Sequence, residues 1–527
     1  AQCLSVFKSQ YPNTPLTFSY QTMNVAQLII DSIERFGEYP CVYHDGRWHS
    51  NRERLLSAEK LASVLRDQGV QPGDRVLVMM ANDPTVLDAF HAIWRLGAVI
   101  IPVTPQWVAR EVRYVLEHSG AKLAITSSPL APRVVEAAEN LSSLQSILVH
   151  GPCELASTIP LEPLMAEAQP ITTMHDCDQD DLAMLIYTSG TTGFPKGVMQ
   201  SHKNLLVNVQ AAARLLDMPP YVTTMQVLPL SHVFGVLCMN IVAICGQRLV
   251  IMPTWDTRKI FETIQNFKVA RFSVVPTMLT YLLNFPDRQQ YDCSSLEMVS
   301  TGGAATPDEV RVEFERTFHC RIKDGYGCSE ATCAISSYHD SQPHRVGSVG
   351  LPLHEFELII LDDKDQPVPT DTEGEVCVRG PHVMRGYWKD PETTQAAMRS
   401  GWLHTGDLGR VDADGYLYIT GRKKDLIIKG GENISPREIE DAIYQHPAVA
   451  ETAVIGIPDE TFGEQVCAVV VLRPGQSATE TEIQQHVAGF VNKFKVPSKV
   501  IFRADLPKSP VGKILKRELR QEYAAAQ

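Results

Sequence analysis

Apolar positions recur along this chain in two alternating rhythms. Residues 24–37, NVAQLIIDSIERFG, put Val25, Leu28, Ile29, Ile33 and Phe36 on one face of a helix that Asn24 caps and Gly37 ends. The run CVYHDGRWHS then alternates, predicting a hairpin that turns on Asp45-Gly46. A second helix is expected from Arg52 to Gln68, stopping at Gly69. Short apolar runs and helical spacings then take turns: strand 75–80, helix 84–96, strand 99–103, helix 107–119 and strand 122–126. Such alternation predicts βαβ units and a parallel sheet. Residues 127–180 lose the rhythm and turn acidic, ending in HDCDQDD, so an irregular connection is expected there.

A second series follows, with QVLPLSHVFGV, QRLVIM, a helix near 257–267, RFSVVP and LEMVSTGGAAT. It reads as a second α/β layer sharing one large body with the first. After about residue 340 the runs EFELIILDD, GEVCVRG and GYLYITG are short and bounded by Gly and Asp, which predicts a small β-rich subdomain. From residue 422 the pattern changes again. Ser435, Pro436 and Glu438 predict a capping box with proline at the first helical position, and strands follow over 453–456 and VCAVVVL. The fold class expected is therefore α/β. A large N-terminal body, residues 1–422, holds two α/β sheet subdomains and the β-rich subdomain. A small α+β C-terminal domain, residues 423–527, joins it near Arg422–Asp425.

Composition narrows the partners. Asp and Glu number 61 against 48 Lys and Arg, a net charge of −13, so no basic surplus exists to neutralise a nucleic acid. The beginning, AQCLSVFKSQYPNTPLTF, has no basic stretch followed by an apolar core, so no leader is expected. No apolar run approaches the roughly 20 residues of a membrane span. The twelve cysteines are scattered, and even Cys328 and Cys333, which flank Glu330, fit no common zinc spacing. Reduced thiols and a cytoplasmic location are expected.

The chemistry concentrates in LIYTSGTTGFPKGVMQSH, residues 185–202. An apolar strand feeds a loop of Thr188, Ser189, Gly190, Thr191, Thr192 and Gly193, then Lys196. Small residues let backbone N–H groups converge, hydroxyls add donors and the lysine adds charge, which suits a polyphosphate. A Walker A loop is excluded, because Lys196 stands at the wrong distance from Gly190 and Gly197 replaces the Ser or Thr. In STGGAAT, Gly302 and Gly303 would let a flat ring approach the backbone. DGYGCSEAT offers Tyr326 as a stacking face and Glu330 as a hard oxygen ligand for Mg2+. Asp407, in a T-G-D turn, could accept hydrogen bonds from both ribose hydroxyls.

These blocks, in this order over about residues 20–520, resemble the adenylate-forming superfamily: acyl-CoA synthetases, carrier-protein adenylation domains and beetle luciferases. The resemblance implies an ATP and AMP site built from Thr188, Ser189, Gly190, Thr191, Thr192, Gly193, Lys196, Gly302, Gly303, Ala304, Asp324, Gly325, Tyr326, Gly327, Asp407 and Arg422. It gives Mg2+ to Glu330 and Thr188. It makes Lys513, in PKSPVGKILKREL, the lysine that drives adenylation, with Lys196 and His232 beside the reacting groups. His232, Val233, Phe234, Gly235, Val275 and Pro276 would wall an acyl pocket. Lys424 matches the hinge, and Gly430 and Gly431 match a channel for the pantetheine chain.

The implied activity is an ATP-dependent acyl-CoA ligase. It would activate a medium- or long-chain fatty acid as acyl-AMP, release pyrophosphate and pass the acyl group to coenzyme A. An aryl-acid CoA ligase, an enzyme loading a carrier protein, and a non-catalytic nucleotide-binding relative remain alternatives. The uninterrupted stretch between Glu330 and Asp407 argues against fatty acyl-AMP ligases, and the absence of a lysine at Ile427-Ile428 argues against light emission. Chain length, ring preference and oligomeric state are not encoded in these motifs.

Overall fold

The computed structural model describes residues 24–188, 195–509 and 512–524. Its N-terminal body is built on two large sheets. The first runs in space from Gly386–Tyr387 through Lys196–Ser201, Leu182–Thr188, Val99–Pro102, Arg75–Met79, Leu123–Ser127 and Ser146–His150 to Ile159–Pro160. Its strands from Leu182–Thr188 onward are parallel, and the two at the other edge are antiparallel. The second sheet has the parallel strands Arg248–Ile251, Thr223–Gln226, Arg271–Val274, Met298–Thr301 and Arg321–Gly327 at its centre.

Parallel strands need cover on both faces. One core joins residues of both sheets, such as Val76, Ile100, Leu249 and Ile251, to helices lying between them, which contribute Leu61, Phe90, Trp94, Val209 and Val236. Two further cores pack helices on the outer faces, around Phe261 and Phe314 on one side and Val112 and Val134 on the other. The β-rich subdomain pairs Glu357–Leu361, Gly374–Arg379, Trp402–Val411 and Leu417–Arg422 antiparallel. The smaller C-terminal domain has its own sheet, centred on Gly463–Leu472 between Val449–Asp459 and Lys499–Arg503, and its own core around Ile439, Val454 and Val470.

The hairpin expected on Asp45-Gly46 forms over Pro40–His44 and Arg47–Ser50 and joins the second sheet, because Val42 pairs with Leu249. Other local expectations need correction. Residues 127–180 are not irregular: they form helices Ala131–Ala138 and Leu161–Glu167 and the strand Ser146–His150. The first helix begins at Gln27, and Asn24 instead accepts the Ala26 N–H at 2.9 Å while its amide donates to the Trp94 carbonyl at 2.6 Å. The capping box at Ser435 does not form. Its hydroxyl donates to the Thr420 carbonyl at 2.7 Å, and Glu438 pairs with Lys495 at 2.6 Å. The hydroxyl donates to a tertiary carbonyl and does not accept from the helix's own N–H groups. Every cysteine among the described residues is a free thiol.

One buried ion cluster fixes the strand that matters most. In Arg321–Gly327, adjacent residues point to opposite faces. Lys323 pairs with the buried Asp340 at 2.7 Å, and Arg271 shares that carboxylate. Asp324, facing the other way, accepts from the Thr301 hydroxyl at 2.6 Å. Both anchors hold the strand just ahead of Tyr326. Removing a buried partner leaves charges uncompensated, so Asp340→Ala is expected to cost about 3–5 kcal/mol. Glu297→Ala, which removes the exposed second partner of Arg271, should cost within about 0.5 kcal/mol. The urea midpoints of the two variants check this, and equal midpoints would contradict it.

Candidate active site

The strand Leu182–Thr188 and the strand Lys196–Ser201 form an antiparallel hairpin in which Thr188 lies opposite Lys196. Ser189, Gly190, Thr191, Thr192 and Gly193, between them, lie outside the described residues. The Lys196 ammonium sits 5.2 Å from the centre of the Tyr387 ring, and the Tyr387 hydroxyl donates to Glu330 Oε1 at 2.9 Å. Tyr387 reaches this place because Gly386–Tyr387 pairs with Lys196–Ser201. Glu330 follows from a short 3-10 turn, Ser329–Ala331, tied to the same strand by the Gln200 amide, which donates to the Ser329 carbonyl at 2.8 Å.

Asp407 forms the second group. Its carboxylate is buried, 4% exposed. Arg422, opposite it in the antiparallel pair of strands, meets Oδ1 at 2.8 Å, and the Tyr326 hydroxyl donates to Oδ2 at 2.7 Å. Burial raises the Tyr326 hydroxyl pKa well above its ordinary value, and the Asp407 charge adds to this, so it stays a donor. The two groups are neighbours. Burial raises the Cys328 thiol pKa, and both Glu330 and Asp407 act on it electrostatically. Gly325 and Gly327 flank Tyr326, and a side chain at Gly327 would strike the Cys333 carbonyl. Asp324 is spoken for: besides Thr301, His344 lies 3.2 Å from its other oxygen. It holds the strand rather than facing outward.

The third group gathers around His232. This residue caps the apolar helix Val233–Cys245, its Nδ1 accepting from the Phe234 N–H at 3.3 Å. The helix can start there only because residue 235 is glycine, since a Cβ would stand 2.1 Å from the Pro229 carbonyl oxygen. The Phe234 ring lies against Gly302, 3.1 Å from where a Cβ would be, and Val275 lies beside Gly303. Val233 and Pro276 are buried, while Ala304 is exposed with Gly303. Behind the helix is a small cavity of about 20 Å³ lined by Met225, Leu228, Cys238, Val242 and Ser273.

The C-terminal domain brings Lys513 into this company. Thr277 donates to the Gly512 carbonyl at 3.0 Å. Burial lowers the Lys513 pKa to about 7, with Arg422 assisting and Asp407 opposing. Burial likewise lowers His232 to about 4, and the Lys513 charge contributes. Lys513 therefore lies within electrostatic reach of His232 and of the Asp407–Arg422 pair, groups that come from three separate stretches of chain. Lys424 lies in the 3-10 turn Lys423–Asp425, between the last strand of the β-rich sheet and the first of the C-terminal sheet. Gly430 and Gly431 make a two-residue hairpin turn with φ of 57° and 85°, and the atoms nearest a Cβ on Gly430 belong to Phe462 and Phe494. Tyr387 was not foreseen. Its only signal was an aromatic pair, Tyr387-Trp388, after the glycine that allows the turn.

Residues 30–388 match the AMP-binding enzyme family, and residues 438–513 match the AMP-binding enzyme C-terminal domain. The chain belongs to the AMP-binding enzymes. It is 33% identical to the long-chain-fatty-acid–CoA ligase of Bacillus subtilis, over 98% of this chain and 97% of that protein. Among solved structures it resembles the anthranilate CoA ligase AuaEII in complex with anthranoyl-AMP, with TM-score 0.91, 27% identity and coverage of 96% and 98%. It also resembles ATP-bound MatB from Rhodopseudomonas palustris, with TM-score 0.88, 29% identity and coverage of 96% and 100%. The three groups described above thus sit in an AMP-binding enzyme of the adenylate-forming superfamily, whose large body and smaller C-terminal domain this chain shares. No helix among the described residues is long and apolar enough to cross a membrane.

A lysine that titrates near neutrality reveals itself by its reactivity, because only the neutral amine acylates. Competitive acetylation of the ligand-free protein, read by mass spectrometry, should give Lys513 a midpoint near pH 7 instead of the ordinary 10.5. Saturating ATP should raise that midpoint, since phosphate favours the ammonium form. A midpoint near the ordinary value without ATP would contradict the burial described here.

Proposed function

We propose that this AMP-binding enzyme is an ATP-dependent acyl-CoA ligase acting on medium- or long-chain fatty acids. The observation that carries the reading is the approach of Lys513 both to His232 and to the Asp407–Arg422 pair. A carboxylate resists nucleophiles because of its charge and resonance. Joined to AMP it becomes a mixed anhydride with a good leaving group.

In this reading, Asp407 and Arg422 hold the ribose, and Tyr326 with Gly302, Gly303, Ala304, Gly325 and Gly327 holds adenine. Lys196 and the loop that precedes it hold the phosphates. Glu330 has one oxygen engaged by Tyr387, which leaves the other for a hard cation, and Thr188 offers a hydroxyl. That donor set suits Mg2+, which takes few protein ligands beside phosphate oxygens and would neutralise triphosphate charge. The substrate carboxylate attacks the α-phosphorus, and pyrophosphate leaves. The Lys513 ammonium stabilises the negative charge that concentrates there. A thiolate of coenzyme A then attacks the acyl carbon, and AMP leaves.

The two steps place different groups around one carbonyl, so the C-terminal domain turns between them about Lys424. The joint lies at Arg422–Lys423, dividing residues 1–422 from 423–527, and Gly430 and Gly431 then admit the pantetheine chain. The fatty-acid preference is supported by the apolar wall of Val233, Phe234 and Val275 and by the name of the Bacillus subtilis relative. The AuaEII likeness favours an aryl acid as the second reading. The enzyme works in the cytoplasm, and a carrier protein in place of coenzyme A is the other acceptor to test.

Acid-dependent pyrophosphate release across a panel of carboxylic acids tests the substrate class. Fatty acids of medium or long chain should give the highest kcat/KM, and preference for benzoate or anthranilate would overturn that choice. Lys513→Ala should lower pyrophosphate release by at least about a hundredfold, the scale of losing one electrostatic stabiliser, while sparing thioester formation from supplied acyl-AMP. Equal loss of both steps would reject the role of Lys513.

A further inference from the structure

The C-terminal domain also touches the body through residues outside the three groups described above. Arg473 follows the last residue of the central C-terminal strand Gly463–Leu472. Its Nε donates to the Val449 carbonyl at 3.1 Å, which fixes the guanidinium to its own domain. Both terminal nitrogens reach across to Glu313 Oε2 at 3.3 Å. Glu313 lies on the body's helix Asp308–Phe318, and both side chains are 28% exposed.

We propose that Arg473 and Glu313 are positioning residues for the first half-reaction: their ion pair holds the C-terminal domain in the orientation that seats Lys513 beside His232, Asp407 and Arg422. This rests on the reading of Lys513 as the adenylation lysine. Other contacts also cross: next to the joint, Ser435 and Arg437 donate to the Thr420 and Ile419 carbonyls, and nearer Lys513 the contacts are weaker. Thr277 donates one hydrogen bond to Gly512, and Lys508 lies 5.5 Å from the centre of the Tyr281 ring while its charge is already met by Glu451 at 2.8 Å. The Arg473–Glu313 pair joins full opposite charges on two rigid elements. It must break in any turn large enough to carry Lys513 away, because its halves belong to different bodies. It therefore weights one orientation of the domain and contributes nothing to the other. Neither residue belongs to the three groups described above.

The experiment measures two half-reactions separately in the full-length enzyme: single-turnover pyrophosphate release, and thioester formation from supplied acyl-AMP and coenzyme A. Arg473→Met and Glu313→Gln should each slow the first step about threefold to tenfold, the range of a partly shielded ion pair. The second step should hold or quicken. Exchanging the charges, Arg473→Glu with Glu313→Arg, should restore the first step. A general loss of stability would lower both steps and would not be rescued by the exchange. The inference is overturned if the wild type adenylates normally and the single variants leave that step unchanged, if both steps fall together, or if the exchange fails to restore. A wild type that releases no pyrophosphate with any acid would instead overturn the proposed function itself.

Discussion

The buried carboxylate of Asp407 is the contact on which the rest of this structure turns. Taking an unpaired carboxylate out of water costs several kcal/mol. Asp407 avoids that cost because Arg422 lies opposite it in the sheet register and the Tyr326 hydroxyl meets its other oxygen. The partners come from different places. Tyr326 belongs to the second large sheet, and Asp407 and Arg422 to the β-rich sheet, with Arg422 the last residue before the joint. One acid therefore registers the second large sheet, the β-rich sheet and the end of the strand Leu417–Arg422 against each other.

The charge balance around this acid decides what Lys513 can do. Burial and Arg422 disfavour its ammonium, and Asp407 opposes them only in part. The lysine thus sits in a place that wants negative charge nearby, and the phosphates of ATP are such charge. The neutral His232 beside it adds no competing cation near pH 7, because burial holds its pKa near 4. An arrangement whose buried carboxylate, Asp407, is already met by Arg422 and Tyr326 leaves Lys513 for a reaction that concentrates negative charge on phosphorus-bound oxygens.

Much of this was legible in the sequence where local chemistry and fold agree. The helix Thr257–Phe267 appears at the residues its spacing indicates, because Asp256 caps it and Ile260, Phe261 and Ile264 bury one face. Tyr326, Asp407 and Arg422, each singled out by its motif, meet because Asp407 and Arg422 pair across two adjacent strands and the Tyr326 hydroxyl reaches Asp407. Failures have a common cause in tertiary choice. The hairpin at residues 40–50 carries no local mark of which sheet it joins, and its partner is the strand Arg248–Ile251. Ser435 starts a helix, as Pro436 signals, yet its hydroxyl prefers the Thr420 carbonyl. The helices at 131–138 and 161–167 are too short for a clear period. Tyr387 has a role only because an edge strand carries it to Glu330.

The central claim is that Asp407 binds the ribose of a nucleotide shared by both parts of the enzyme. A calorimetric cycle tests it with a non-hydrolysable acyl-adenylate analogue and its dideoxy ribose counterpart, each against the wild type and Asp407→Asn. The two changes should be strongly non-additive: either alone should weaken binding at least about tenfold, the value of a charge-assisted hydrogen bond, and the second should add little. Independent, additive losses would mean that the carboxylate and the ribose hydroxyls do not meet.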